Sequence, residues 1–433
     1  MASRPLRAAR RLAKRVLAAT GRRSPAVKRL TQRLRASRRR AAYREICRRN
    51  PIEAKTVVFE SYVGSGFACS PKAIYQAMVR DPAFDDYTLI WAFKDPDAYS
   101  EVSELERAAI VRWGSDAHLA AYARAKHWIC NCAVPAHVAP RDGQVYLQTW
   151  HGTPLKRFGC DFTPPGITTQ RAVDERLQRW RASAAKFTFL LSQSPFGSEK
   201  LTSALGLEPA SAPRVILESG YPRNDFLATS TAADAESIKR RLDVPDGKTV
   251  VLYAPTWRDD QRTPGVGLTL ELGVDFDRLR RELGEDYVIL FRAHFMIAES
   301  FDFERFGGFV RDVSRVDDVN DLYVVSDVLV TDYSSVFFDY ANLERPVVFY
   351  MYDLDDYSRD RGEFYLELEE LPGPVVRDQD GLAPAIVAAT SAGTVTGGYR
   401  AFRERFTPWD DGCASERVIE RVFRAGDEDG RHE

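Results

Sequence analysis

The chain has 433 residues, 44% hydrophobic and 11% aromatic, which excludes global disorder and leaves room for two domains or three small ones. Its six cysteines are too few for a disulfide framework. Cys130 and Cys132 form only a C-x-C with no second pair at zinc spacing, so a reducing, cytosolic setting without structural zinc is expected. The net charge of −1 conceals two opposed parts: residues 1–50 carry 18 Lys and Arg against Glu45 alone, a net of +17, which leaves −18 on the remainder.

In the basic arm, Leu6, Ala9, Leu12, Ala13, Val16 and Leu17 recur at spacings of three and four, with Arg7, Arg10, Arg11, Lys14 and Arg15 between them. The pattern predicts an interfacial helix, apolar stripe toward acyl chains and cations toward anionic headgroups. Val27, Leu30 and Leu34 continue it more weakly. A solvated tail, a transit peptide and a nucleic-acid-binding arm are the other readings. The last has a single aromatic, Tyr43, for base stacking, and the body is acidic, so no nucleic-acid partner is expected. No apolar run of about 18 residues predicts a transmembrane helix, and arginines interrupt the N-terminus too often for a secretory signal.

After Pro51 strands and helices alternate. Strands are predicted at Thr56–Tyr62, Tyr87–Phe93, Lys126–Asn131, Val145–Trp150, Phe187–Ser192 and Arg214–Glu218, with helices at Pro71–Arg80 and Ala117–Ala125. Ala228–Asp246 reads as a linker with a helix near Ala235–Leu242. The alternation restarts with strands at Thr249–Ala254, Tyr287–Arg292, near Phe309–Val313, at Val328–Thr331 and at Pro346–Tyr350, and helices near Phe276–Leu283, around Val319–Val325 and at Ser334–Asn342. Two runs of βα units imply two doubly wound parallel sheets, with ligands in the cleft at the strands' carboxyl ends.

Three motifs stand at such ends. His151, in Gln148–Lys156, follows a strand and is the side chain best suited to take a proton near neutral pH; a structural histidine on a turn carbonyl is the alternative. Arg292 and His294, two apart on an extended segment, face the same way and suit one anionic ligand; a local ion pair is the alternative. Asp332, Ser334 and Ser335 open a helix whose backbone N–H groups suit an anion; plain capping is the alternative. Gly64-Ser65-Gly66 is a weak glycine signal, Asp275-Phe276-Asp277 starts a predicted helix, and no metal site is expected. His118, His127, His137 and His432 read as structural or solvent-exposed. Together the three motifs suit transfer of a phosphorylated or nucleotide-activated group.

These residues make the chain resemble the CDP-glycerol glycerophosphotransferases, the teichoic acid polymerases and primases. The matching stretches are TWHGTPLKRFG (149–159), ESGYPRNDFL (218–227), VLYAPTWRDD (251–260), FRAH (291–294), the long run 318–357, RGEFY (361–365) and ELPGPVV (370–376). The resemblance covers about residues 55–425. It implies a GT-B fold, with a Rossmann-like acceptor domain at 51–230 and a Rossmann-like CDP-polyol-binding domain at 245–425, behind the arm at 1–50. It implies transfer of a polyol phosphate, glycerol phosphate foremost, from a CDP-polyol to a hydroxyl of a lipid-linked or glycan acceptor. CMP is released at the cytoplasmic face of an anionic membrane, with no cofactor, in the synthesis of a cell-surface polymer.

Carried over by residue, His151 matches the proposed general base and His294 the histidine on the donor phosphates. Ser334 and Ser335 match the helix start that cradles the diphosphate, with Asp332 beside them. Arg258, Arg223 and Asn224 lie in motifs facing the cleft, and Thr153 belongs to the histidine motif. Phe295 stands where the family usually has proline. A nucleotide-sugar-dependent glycosyltransferase of the same architecture is the alternative activity.

Overall fold

The computed structural model describes residues 25–164, 166–167, 169–256, 262–263, 267–268, 273–293, 302–361, 363–391 and 397–424. The first lobe is a seven-stranded parallel sheet made of β1 (Glu53–Glu60), β2 (Thr88–Phe93), β3 (Ala108–Arg112), β4 (Ala125–Cys130), β5 (Val145–Gln148), β6 (Phe189–Ser192) and β7 (Ile216–Glu218). Their spatial order is β3-β2-β1-β4-β5-β6-β7. The inner strands are apolar on both faces because both faces are covered: Val57, Val58, Phe59, Trp91 and Trp128 are fully buried.

The second lobe contains β8 (Thr249–Ala254), a hairpin of β9 (Arg262–Thr263) and β10 (Gly267–Leu268), then β11 (Tyr287–Phe291), β12 (Val310–Asp312), β13 (Val328–Thr331), β14 (Val347–Tyr350) and β15 (Val375–Val376). Its six-stranded parallel sheet runs β12-β11-β8-β13-β14-β15. Strand order reverses once in each sheet, between β1 and β4 and between β8 and β13. A crevice opens at the carboxyl ends there.

Several boundaries differ from the sequence pattern. β3 is an additional edge strand, only partly covered. The strand expected from Arg214 begins as a helical turn, Ala212–Val215, with a proline in its first positions. The strand expected to reach Trp150 stops at Gln148, since Trp150 takes a left-handed backbone with φ +54°. The helix expected over 334–342 is the five-residue Val336–Tyr340 followed by a 3-10 turn, Ala341–Leu343.

The domain limits need larger corrections. Pro25–Arg49 is a single helix, and its second half belongs to the first lobe: Tyr43 and Cys47 enter the core, and Arg141 donates to the carbonyls of Cys47 and Asn50, both at 2.9 Å. The apolar stripe Leu6–Leu17 lies outside the described residues. The stretch read as a linker packs Ile238 and Val244 into the second core.

The last described helix, Ala414–Ile419, continues as a π turn over Glu420–Arg424 and returns to the first lobe. There Val418, Ile419, Val422 and Phe423 complete the core. The unit expected over 245–425 is therefore divided between lobes. The two crossings lie side by side: Asp225 accepts from the amides of Ala414 and Ser415, each at 2.8 Å. Gly220, at φ +78°, lies so close to the Trp409 carbonyl that a side chain there would collide with it.

Candidate active site

A cavity of about 860 Å³ opens between the lobes at the two crevices. The first lobe contributes Tyr62, Ser65, Cys69, His151 and Arg223, and the second Arg292, Ser314, Arg315, Asp317, Ser335 and Asp339. Of the residues singled out by sequence, His151, Arg292, Ser335 and Arg223 line this one space.

His151 follows the end of β5. Gln148 accepts from the Trp150 amide at 2.9 Å and folds the chain into a turn. The imidazole stacks on the Trp150 ring, centroids 5.1 Å apart at 23°, and meets Tyr62 edge-on at 6.2 Å. Nδ1 lies 2.8 Å from the Asn131 carbonyl oxygen. A carbonyl only accepts, so Nδ1 carries the proton and Nε2 of the neutral ring keeps its lone pair. The Asn131 side chain in turn accepts from the Tyr62 amide at 2.7 Å. The surrounding protein walls desolvate the imidazole and, with the Arg223 charge, hold its pKa below the ordinary histidine value, although the Asn131 carbonyl pulls the other way.

Around this histidine four non-glycine residues adopt left-handed backbones: Tyr62 (φ +48°), Val63 (+59°), Cys69 (+66°) and Trp150 (+54°). For a β-branched residue such as Val63 this is a genuine outlier. Strain of this kind persists where neighbours over-determine it, and it clusters at functional sites.

Beyond His151 the chain crosses to the other lobe. A methyl group built on Gly152 would stand 2.8 Å from Ser335 Oγ. Thr153 is buried and donates to Gln193 rather than facing the cavity. Leu155 enters the second core, its carbonyl accepts from the Tyr365 amide at 2.8 Å, and the Arg157 amide donates to the Glu363 carbonyl at 3.0 Å. The histidine motif is thus a strap held at both ends.

On the second lobe, Arg292 follows β11 and donates to the carbonyls of Val316 (2.6 Å) and Val313 (3.3 Å), which fixes its guanidinium along the cavity rim. Asp332 is buried at 2% exposure and accepts from the amides of Thr256 (2.8 Å) and Tyr333 (2.5 Å). Thr331 donates to the Ala254 carbonyl at 2.8 Å. Asp332 therefore ties the loops after β8 and β13 together from beneath the cavity. Ser334 is half-buried, and Ser335 precedes the short helix without a side-chain capping bond. His294 and Arg258 lie outside the described residues.

Arg223 and Asn224 serve a buried network between the lobes. Arg223 forks onto both Asp339 oxygens at 2.9 and 2.8 Å, and Asn224 donates to Asp339 (2.9 Å) and Asp410 (2.7 Å). Asp410 also accepts from Gln193, Asn342 and the Tyr221 amide. Its carboxyl is pushed up to about 6 by burial, against the hydrogen bonds that favour its charge. Arg223 reaches the cavity wall, whereas Asn224 is fully buried behind it. At the rim, Asp317 accepts from the Phe67 amide (3.1 Å) and Tyr99 hydroxyl (2.9 Å), and Lys72 pairs with Asp318 at 3.2 Å.

Sequence reasoning passed over Asn131, Asp339 and Asp410. Each acts on residues 20 to 217 positions away, which no local pattern records. Among the described residues no group of three or more His, Cys, Asp and Glu side chains is placed to hold a metal ion, and no helix is long and apolar enough to cross a membrane.

Known proteins share this architecture. The chain is 36% identical over 387 residues to the teichoic acid poly(glycerol phosphate) polymerase of Bacillus subtilis (strain 168), covering 87% of this chain and 50% of that one. It therefore spans about half the length of that relative. It is 36% identical to the teichoic acid glycerol-phosphate transferase of Staphylococcus aureus (strain NCTC 8325 / PS 47), covering 85% of this chain and 92% of that one. The solved wall teichoic acid polymerase TagF, as a histidine-to-asparagine variant soaked with CDPG, superposes with a TM-score of 0.80 at 35% identity, over 94% of this chain and 97% of that one. The family model for CDP-glycerol:poly(glycerophosphate) glycerophosphotransferase matches residues 42–424, and the chain belongs to that family.

Proposed function

We propose that this chain transfers a polyol phosphate, glycerol phosphate foremost, from a CDP-polyol to a hydroxyl of a membrane-associated acceptor and releases CMP. One observation carries the reading: an imidazole with its proton fixed on Nδ1 opens into the same space as Arg292 and Ser335 of the opposite lobe.

In this reading the acceptor hydroxyl attacks the β-phosphorus in line. A new oxygen–phosphorus bond forms, the bond from the β-phosphorus to the bridging oxygen breaks, and CMP departs with that oxygen. The proton of the hydroxyl passes to His151 Nε2. Arg292 and Ser335 meet the diphosphate, with His294 proposed to join them two residues beyond Arg292. Positioning and charge stabilisation supply most of the acceleration in such transfers. Within the arm, residues 1–50, the apolar stripe from Leu6 to Leu17 and the cations between its members hold the enzyme to an anionic membrane surface.

The test offers CDP-glycerol, CDP-ribitol and UDP-sugars side by side with a lipid-linked acceptor, follows nucleotide release and weighs the product by mass spectrometry. CMP release with addition of a polyol phosphate is expected. Turnover of UDP-sugars alone would replace the proposal with a glycosyltransferase.

A further inference from the structure

A second cavity, of about 790 Å³, lies between the helix Pro25–Arg49 and the first lobe. Gln32, Arg35, Ala36, Arg39, Arg40 and Tyr43, spaced at three and four, present one face of the helix to it. Trp113 and His137 form the opposite wall. Although the body of the chain is strongly acidic, no acidic residue among the described ones lines this groove.

Arg35, Arg39 and Arg40 have no carboxylate partner among the described residues, whereas Arg48 and Arg49 further along the helix pair with Glu45. The Trp113 indole N–H is shielded from solvent and has no hydrogen-bond partner. Cationic crowding shows in the titratable groups too: burial and the charges of Arg39 and Lys186 hold the His137 pKa down, and burial and Arg40 lower that of Lys186. Such an assembly of unpaired cations fits an anion with several charges.

The groove is joined to the His151 site by two loops. Trp113 packs on Gly64, where an added Cβ would lie 3.0 Å from the Trp113 Cβ, and the next residues, Ser65 and Gly66, line the catalytic cavity. Lys94, exposed beside them, donates to Ser65 Oγ at 2.8 Å. The second loop begins at Asn131, which holds His151, and reaches the groove at Pro135 to His137.

We propose that this groove binds the phosphodiester groups of the growing acceptor and leads its free end toward His151. The inference rests on the transfer reading above, because each transfer leaves one anionic phosphodiester in the product. The occupant is that polyol phosphate chain.

The test titrates a short oligo(glycerol phosphate) into the full chain without CDP-polyol, so it requires no turnover and stands apart from the outcome of the transfer assay. Binding that weakens with salt is expected, and Arg35→Ala/Arg39→Ala/Arg40→Ala should weaken it roughly tenfold or more. Trp113→Phe, which keeps an aromatic ring and removes the N–H, should weaken it less. In turnover, the triple variant should raise KM for the oligomeric acceptor and leave kcat on an uncharged short acceptor unchanged. Equal oligomer binding by wild type and triple variant would overturn the proposal. So would a triple variant that loses only its binding to phosphatidylglycerol vesicles, since the arginines would then serve a lipid surface.

Discussion

Gly152 and Ser335 come from opposite lobes and meet with no room for a methyl group between them: a Cβ on Gly152 would lie 2.8 Å from Ser335 Oγ. His151 is thereby placed against the second-lobe loop that follows β13. Gly152→Ala must push the Ser335 hydroxyl aside, and turnover should fall on the order of tenfold to a hundredfold while the melting temperature changes little. Ser335→Ala combined with Gly152→Ala should recover the part of the loss that is steric. Unchanged CMP release by Gly152→Ala would show that this contact does not set the geometry.

The acid limb of activity follows from the His151 environment. Desolvation by the cavity walls and the Arg223 charge lower its pKa against the pull of the Asn131 carbonyl, so the neutral ring persists below the pH at which an ordinary histidine is half protonated. Activity should therefore fall only as the pH drops below about 6.5. His151→Ala should reduce kcat by roughly 10²–10⁴-fold and abolish that limb. A wild-type limb centred above the ordinary histidine value would contradict this assignment.

Arg223, Asp339 and Asp410 form a buried inter-lobe network in which every charge has a partner. Arg223→Ala strands the Asp339 carboxylate and should cost about 3–5 kcal/mol in chemical denaturation. Asp410→Asn turns one acceptor into a donor facing the amides of Gln193, Asn224 and Asn342, and should cost about 1–3 kcal/mol. A denaturation midpoint indistinguishable from wild type in either variant would mean that the network tolerates an orphaned group.

His127 lies under the returning helix, its ring 4.3 Å from that of Phe423. Burial, aided by Lys126, lowers its pKa to about 3. The unfolded chain takes up this proton below its ordinary value of 6.5 and the folded chain does not, so stability from this group is complete above 6.5 and declines as the pH falls toward about 3. His127→Phe should flatten that decline, whose slope approaches about 1.4 kcal/mol per pH unit. Denaturant midpoints measured across this range for both proteins decide it.

β8 and β13 keep their expected limits, and the helices expected near Phe276–Leu283 and around Val319–Val325 form over those residues. These are buried segments flanked by turn or capping residues, so hydrophobic pattern and tertiary position agree. β3 has no such signature, since an edge strand with exposed Ala109 and Arg112 lacks the apolar run of its neighbours. His151, Arg292 and Ser335 share one cavity, and each follows the carboxyl end of a strand, where an open sheet presents its ligand groups. Asn224 and Asp332 sit in equally distinctive motifs, yet their side chains hold lobes and loops together. A motif records that a residue type is needed and leaves open whether it faces the cleft or the core. The strap from His151 to Leu155 was hidden for another reason: its partners lie some two hundred positions downstream.

The returning helix makes the first lobe depend on residues far from its own strands. Val418, Ile419, Val422 and Phe423 seal a hydrophobic core built from strands much earlier in the chain, so cutting the chain before Ala414 would uncover that core.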